Sequence, residues 1–284
     1  MANDAKVSSL PASALRYART FLFAPADRPN NVQNALDSAA DAIIADLEDG
    51  VAPSRKGGAR AALAEVFGAS RKDREPMRFV RINSEAAGAV EADLHALDDL
   101  RIDGLVVPKA STSSISRLAH LGLPLIALIE SGAGLRDAFA IASNSQVEAV
   151  ALGTVDLSRE LGFDDRRDGH QLLFARSQLV RDCAAARLRP PIDGVRVELD
   201  RLSRLAAEAR LAASLGMRGK LCIHPRQLET VRRAFAVDPA RIEWAERVIA
   251  AARNTDGAAF RIDGEMVDAA VVSMAERVID EART

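Results

Sequence analysis

The sequence predicts an α/β protein, a (β/α)8 TIM barrel with a C-terminal helical extension. Three observations carry that expectation. Eight short apolar runs alternate with Ala/Leu/Arg-rich helical stretches, the pattern left by βαβ units around a parallel sheet. The runs are near-continuous in Val, Ile, Leu and Ala, as strands covered on both faces are. Polar residues gather where the runs end, which is where a barrel of this kind assembles its chemistry. A doubly wound open sheet is the alternative.

The runs are TFLFAPA (20–26), AIIADLED (42–49), MRFVRIN (77–83), GLVVPKA (104–110), PLIALIES (124–131), VEAVALGTVD (147–156), PPIDGV (190–195) and GKLCIHP (219–225). Helical patterns lie between them at about 30–40, 55–67, 86–99, 111–120, 134–143, 168–188 and 200–215. Further helices are expected at 226–235, 239–254 and 267–282, the last two separated by TDGAAFRIDGEM with its two Asp-Gly turns. The chain is thus expected to divide into a lead-in (1–18), a barrel domain (19–255) and an extension (256–284).

Composition narrows the function classes. With 284 residues, 48% hydrophobic and 27% charged, the chain is an ordinary globular protein, not a disordered, collagen-like or disulfide-stapled one. A net charge of −2 offers no basic field to nucleic acid. No apolar run is long enough to span a bilayer, and MANDAKVSSLPASALRYART has no apolar h-region, so a cytoplasmic location is expected. Cys183 and Cys222 lack metal spacing and read as two reduced thiols.

The run ends supply the candidate site. In order they give Ala26, Asp27 and Arg28; Asp46, Glu48 and Asp49; Arg81 and Asn83; Lys109; Glu130; Asp156; and His224. Carboxylates without a Cys/His cluster suit a hard cation such as Mg2+, which takes few protein oxygens and keeps waters. Glu130 and Asp156 form the natural pair; equally, they suit acids that complement the dipoles of following helices. Arg81 is expected to face an anion, either a substrate carboxylate held two-point or Glu48 or Asp49 in a structural ion pair. Lys109, one of only five lysines, is expected at the mouth as a protonated cation among acids, with imine chemistry the lesser alternative. Gly132 and Gly134 imitate the start of a dinucleotide fingerprint, but Asp137 takes the third glycine's place; they serve better as a tight turn beside Glu130. His224, before a proline, reads as structural more than catalytic.

Together, FLFAPADRPN, ADLEDGVAPSRKGGAR, FVRIN, VVPKA, LIALIESGAGL, GTVDLSRELG and GKLCIHPRQL resemble the citrate lyase beta-subunit-like proteins of the HpcH/HpaI aldolase superfamily, from about residue 19 onward. The resemblance implies a TIM barrel, Mg2+ dependence (with Mn2+ as a substitute), a homotrimer or hexamer, and C–C bond chemistry on β-hydroxyacyl thioesters. It implies metal ligation by Glu130 and Asp156, oxoacid binding by Arg81, and ordering of metal-bound water by Glu48 and Asp49. Two departures stand out: ESGAG where the family often has Glu-Thr-Ala-Arg-Gly, and GTVD where it often has Gly-Ala-Glu-Asp. Both leave the carboxylates and alter their small neighbours, so substrate preference is left open.

The tail GEMVDAAVVSMAERV resembles the extension of malyl-CoA and citramalyl-CoA lyases, which implies that Asp268 is an acid/base serving a neighbouring subunit. Val267, Val271, Met274 and Val278 form the stripe by which that helix packs, on its own subunit or on the neighbour. The implied partners are an acyl-CoA thioester and a small α-oxoacid, with Arg28 and Arg19 as candidates for the CoA phosphates and Lys109 for substrate. A citrate lyase beta subunit using a carrier-protein thioester, or an aldolase cleaving a free hydroxy-oxoacid, are the alternatives.

Overall fold

A computed structural model describes residues 12–68, 71–72, 75–163, 169–255 and 257–282. A short helix, α1 (Ala12–Tyr17), stands within the expected lead-in. The chain then alternates: β1 (Thr20–Pro25), α2 (Pro29–Leu36), β2 (Ala42–Asp46), α3 (Lys56–Gly68), β3 (Met77–Arg81), α4 (Val90–Leu97), β4 (Gly104–Val107), α5 (Thr112–Ala119) and β5 (Leu125–Ile129). It continues with α6 (Gly132–Arg136), α7 (Ala138–Ala142), β6 (Val147–Leu152), α8 (Thr154–Leu161), α9 (Leu173–Ala185), α10 (Leu202–Ser214), β7 (Lys220–Cys222) and α11 (Leu228–Ala234).

All seven strands are parallel, in the order β6-β5-β4-β3-β2-β1-β7. The expected strand at 190–195 is reduced to two bridges, Ile192 to Ala151 and Asp193 to Lys220. Pro190 and Pro191 open that segment and remove two ladder donors. What remains is hydrogen-bonded on both sides: Leu152 N–H donates to Ile192 O at 2.9 Å, and Leu221 N–H to Asp193 O at 2.8 Å. The expectation of an eight-stranded barrel is therefore met in a coarser form, a curled, parallel, seven-stranded α/β sheet.

The two-residue period of a strand sorts the core into two layers. Ile43 and Ala45 of β2, Val80 of β3, and Ala127 and Ile129 of β5 belong to the large cluster that includes the helices' buried residues. Their neighbours Ala42, Ile44, Phe79, Ile126 and Leu128 form a smaller cluster with Phe21, Ile192 and Leu221. That second cluster joins residues from β1 through β7 because the sheet curls around it.

Contacts divide the chain after Phe235, and Ala236–Thr284 is a second compact unit. The helix expected at 239–254, grouped with the barrel on sequence grounds, lies in this unit as α12 (Pro239–Ala252). It is followed by β8 (Phe260–Ile262), β9 (Glu265–Val267) and α13 (Ala269–Ala282). The Asp263-Gly264 turn closes β8 and β9 into an antiparallel hairpin, with positive φ at both residues (49° and 86°), as such turns require. Ala245, Val248, Val267 and Ala275 are its fully buried apolar residues, with Val271 and Val278 packed against them. Met274, on the expected stripe, is instead 44% exposed. Among the described residues no helix is long and apolar enough to cross a membrane, and Cys183 and Cys222 are buried and unpaired.

Candidate active site

Inward parity, extended along the strands, leads to the polar groups. Ala42 and Ile44 face the inner core, so the next inward residue of β2 is Asp46. By the same step β3 leads from Phe79 to Arg81, and β5 from Leu128 to Glu130. Asp46 and Arg81 are direct cross-strand partners in the ladder, close enough for their side chains to meet. Arg81 donates from Nε to Asp46 Oδ1 and from Nη2 to Asp46 Oδ2, each at 2.7 Å. Its Nη1 lies 3.0 Å from Glu48 Oε2, a charge contact without the alignment of a hydrogen bond. The Phe23 ring lies beside the guanidinium, 4.9 Å from ring centroid to Cζ. Burial opposes the arginine's charge, but Asp46 and Glu48 outweigh it and hold its pKa above the usual arginine value.

Asp46 is itself oriented, accepting from Glu48 N–H at 2.9 Å and Gly50 N–H at 2.8 Å. Glu48 is buried, and burial raises its carboxyl above the usual range while Arg81 and Lys109 pull it back. Lys109 Nζ donates to Glu48 Oε1 at 2.8 Å, and Lys109 N–H to Glu130 Oε1 at 2.7 Å. Burial lowers the Lys109 pKa, but the bond to Glu48 prevails and raises it, so an imine-forming neutral amine is disfavoured.

Glu130 is 3% exposed. Its carboxyl is pushed up to about 7, first by burial and then by Glu48, with Asp156 adding to the effect. The backbone of Gly153 packs directly on it: a Cβ there would sit 2.3 Å from Glu130 Cβ. Asp156 is not at a strand end as expected. β6 stops at Leu152, and Asp156 stands in the first turn of α8, its carboxylate accepting from Arg159.

Asp46, Asp49, Arg81, Glu130 and Asp156 share a cavity of about 360 Å³. Its lining also includes the apolar Phe23, Val195, Val197, Leu221 and Ile223. Four acids against one arginine leave that lining negative, an arrangement suited to a divalent cation. Among the described residues no three His, Cys, Asp or Glu form a ready cage; a cation here would rest on Glu130 and Asp156 and keep waters, as Mg2+ does.

Other expected site residues of the first unit do not line the cavity. Glu48 and Lys109 instead touch residues that do, Glu48 through Arg81 and Lys109 through Glu130. Arg28 is exposed at the start of α2 and does not line the cavity. Arg19 precedes β1, at the opposite end of the strand from the site. His224 Nδ1 accepts from Arg226 N–H at 3.1 Å and caps a turn. Asp268 is exposed and caps α13, its Oδ1 accepting from the N–H of Ala270 and Val271 at 3.0 Å each. Three participants went unassigned on sequence grounds: Asp46, Gly153 and the apolar lining. Only Asp46 carried a usable signal, its place at a strand end.

A profile of the HpcH/HpaI aldolase/citrate lyase family matches residues 19–225. A citrate lyase subunit beta-like protein of Mycobacterium tuberculosis is 36% identical over 268 residues, covering 92% of this chain and 94% of the relative. A (3S)-malyl-CoA thioesterase of Cereibacter sphaeroides is 33% identical over 271 residues, covering 93% and 94%. The crystal structure of the protein CitE from Mycobacterium tuberculosis with magnesium, acetoacetate and coenzyme A superposes with a TM-score of 0.82 at 35% identity, covering 95% of this chain and 100% of that one.

Proposed function

This chain belongs to the HpcH/HpaI aldolase/citrate lyase family, and on that premise we propose that it is a Mg2+-dependent carbon–carbon lyase. Its substrate is a β-hydroxyacyl-CoA thioester of the malyl-CoA or citramalyl-CoA type, cleaved to an acetyl-CoA-type thioester and an α-oxoacid, or formed in reverse. The observation that carries this reading is the convergence of Arg81 with Glu130 and Asp156 in one cavity. A related structure that holds magnesium, acetoacetate and coenzyme A supports it. Residues 190–195 then serve as one stave of an eight-stranded barrel. The enzyme is cytoplasmic and works as a homotrimer or hexamer, its 256–284 extension serving a neighbour.

Glu130 and Asp156 would hold Mg2+, which when bound polarises the substrate's hydroxyl and carboxylate oxygens as a Lewis acid. Arg81 has five N–H groups; two donate to Asp46, and those of Nη1 and Nη2 that do not are left for the substrate carboxylate. In cleavage, a base removes the β-hydroxyl proton. The bond between the α and β carbons breaks, its electron pair passes to the thioester as an enolate, and the α-carbon is then protonated. Asp268 of a neighbouring subunit is the proposed acid/base, a role typically worth about 10²–10⁴-fold. Glu48 and Asp49 hold the surrounding charge, and Arg81 stabilises the developing anion.

A second reading, hydrolysis of a malyl-CoA thioester, has the (3S)-malyl-CoA thioesterase relative in its favour. One experiment separates the two. Acetyl-CoA is incubated with glyoxylate or pyruvate, with and without Mg2+, and the acyl-CoA products are weighed by mass spectrometry. A Mg2+-dependent hydroxyacyl-CoA product supports the lyase. Hydrolysis of a supplied malyl-CoA with no oxoacid released and no condensation would replace it with the thioesterase.

A further inference from the structure

Among the described non-glycine residues, positive φ occurs at Lys109 (46°), Arg187 and Asp263. Asp263 belongs to a tight turn where that is expected, whereas Lys109 stands beside the candidate active site. A lysine at positive φ is strained, and glycine would adopt the same backbone freely. Strain kept at a site points to a task for the side chain.

The local chain shows the task. Pro108 follows β4 and has no N–H, so the first donor past the strand is Lys109. The ladder resumes at Ala110, whose N–H donates to Leu128 O at 3.0 Å. Between these points the Lys109 N–H turns to Glu130 Oε1 at 2.7 Å, while its Nζ reaches Glu48 Oε1 at 2.8 Å. Glu48 Oε2 in turn faces Arg81 Nη1 at 3.0 Å. One residue thus touches both inner glutamates, one through its main chain and the other through its side chain. Asp46 and Glu48 contact Arg81, and Lys109 is the second cation on Glu48.

Resting on the lyase reading above, we propose that Lys109 is a positioning residue: its amide orients Glu130, and its ammonium holds Glu48 so that Arg81 keeps its two-point register on Asp46. Without the ammonium, Glu48 has Arg81 alone as its charge partner among the described residues and draws the guanidinium out of that register. The N–H groups left for substrate move with it.

Lys109→Gly isolates the side chain, because glycine keeps the N–H and suits the backbone. The expected result is a 10–100-fold fall in kcat/KM for the oxoacid, the usual scale for supporting partners of a metal site. The melting temperature stays equal or rises. Added ethylammonium or propylammonium restores part of the activity in a saturable manner, and Lys109→Arg retains more activity than Lys109→Met. Wild-type activity in Lys109→Gly, or a loss matched by a fall in melting temperature and deaf to amines, overturns the proposal. If Lys109→Gly does not fold, the comparison of Lys109→Met with Lys109→Arg decides in the same way. A wild-type protein that makes no condensation product defeats the lyase reading, whereas an active wild type with an unaffected Lys109→Gly defeats this inference alone.

Discussion

Arg81 is held by two carboxylates, Asp46 by a two-point contact and Glu48 beside it. Its place after an apolar run marked it for an anion. The sequence alone offers it a substrate carboxylate, Glu48 or Asp49, whereas the structure pairs it with Asp46 and Glu48. Asp46 is the in-register neighbour, and register between strands far apart in sequence is not written in either strand alone. Because two N–H pairs define the Asp46 contact, an ammonium cannot replace the guanidinium. Arg81→Lys is expected to lower kcat/KM by at least about a hundredfold, on the scale of one lost transition-state donor. Steady-state kinetics check this, and an unchanged kcat/KM removes Arg81 from its role. Glu130 makes the pH dependence specific. Its carboxyl, raised to about 7 in the fold, holds its proton there more tightly than in the unfolded chain, where the ordinary value is near 4.5. The metal-free fold therefore loses stability as pH rises from about 4.5 through about 7, since the native state binds more protons in that window. Chemical denaturation in EDTA across that range is expected to show the slope in wild type and a flatter one in Glu130→Gln. The opposite slope contradicts the burial argument.

The junctions between elements were harder to read than the elements. The run VEAVALGTVD reads as one strand, yet β6 ends at Leu152 and α8 begins at Thr154. Gly153 makes the break, and its backbone lies against Glu130. Apolar periodicity is blind to such a break because Val155 continues the apolar pattern. At 190–195 two prolines leave a pair of bridges where a full strand was expected. The Asp-Gly turn at 263–264 was legible, but its three-residue strands were too short to register as runs. Gly153→Ala tests the junction. Its Cβ would overlap Glu130 Cβ at 2.3 Å, so the carboxylate or the start of α8 must move. The variant is expected to lose at least about tenfold in activity, the lower scale for a disturbed metal-site support, and to need more Mg2+ for half-maximal rate. A Mg2+ titration of the initial rate checks it; a wild-type curve shows that the contact is tolerated.

At the scale of the whole molecule, the alternation of strands and helices was legible because a parallel sheet covered on both faces leaves unmistakable apolar runs. The inner and outer cores follow from the same two-residue period. The second unit was less legible: α12 reads like one more barrel helix, and only its packing in Ala236–Thr284 assigns it there. Asp268 caps α13 in that unit, so its proposed role concerns assembly. Asp268→Asn and Arg81→Ala, each expected to be inactive, are to be mixed under subunit exchange. If sites are shared between neighbours, roughly a quarter regain both residues, by the statistics of a closed cyclic oligomer. Activity no higher than that of the parents, despite demonstrated exchange, places Asp268 outside the neighbour's site. The central claim, a metal-dependent lyase built on Glu130 and Asp156, meets its most direct test in one measurement: the rate of acyl-CoA formation as a function of Mg2+ for wild type, Glu130→Gln and Asp156→Asn. The predicted result is saturable Mg2+ dependence and abolition by EDTA in wild type, with both variants folded and inactive at ordinary Mg2+. Wild-type kcat without added metal in either variant would contradict it.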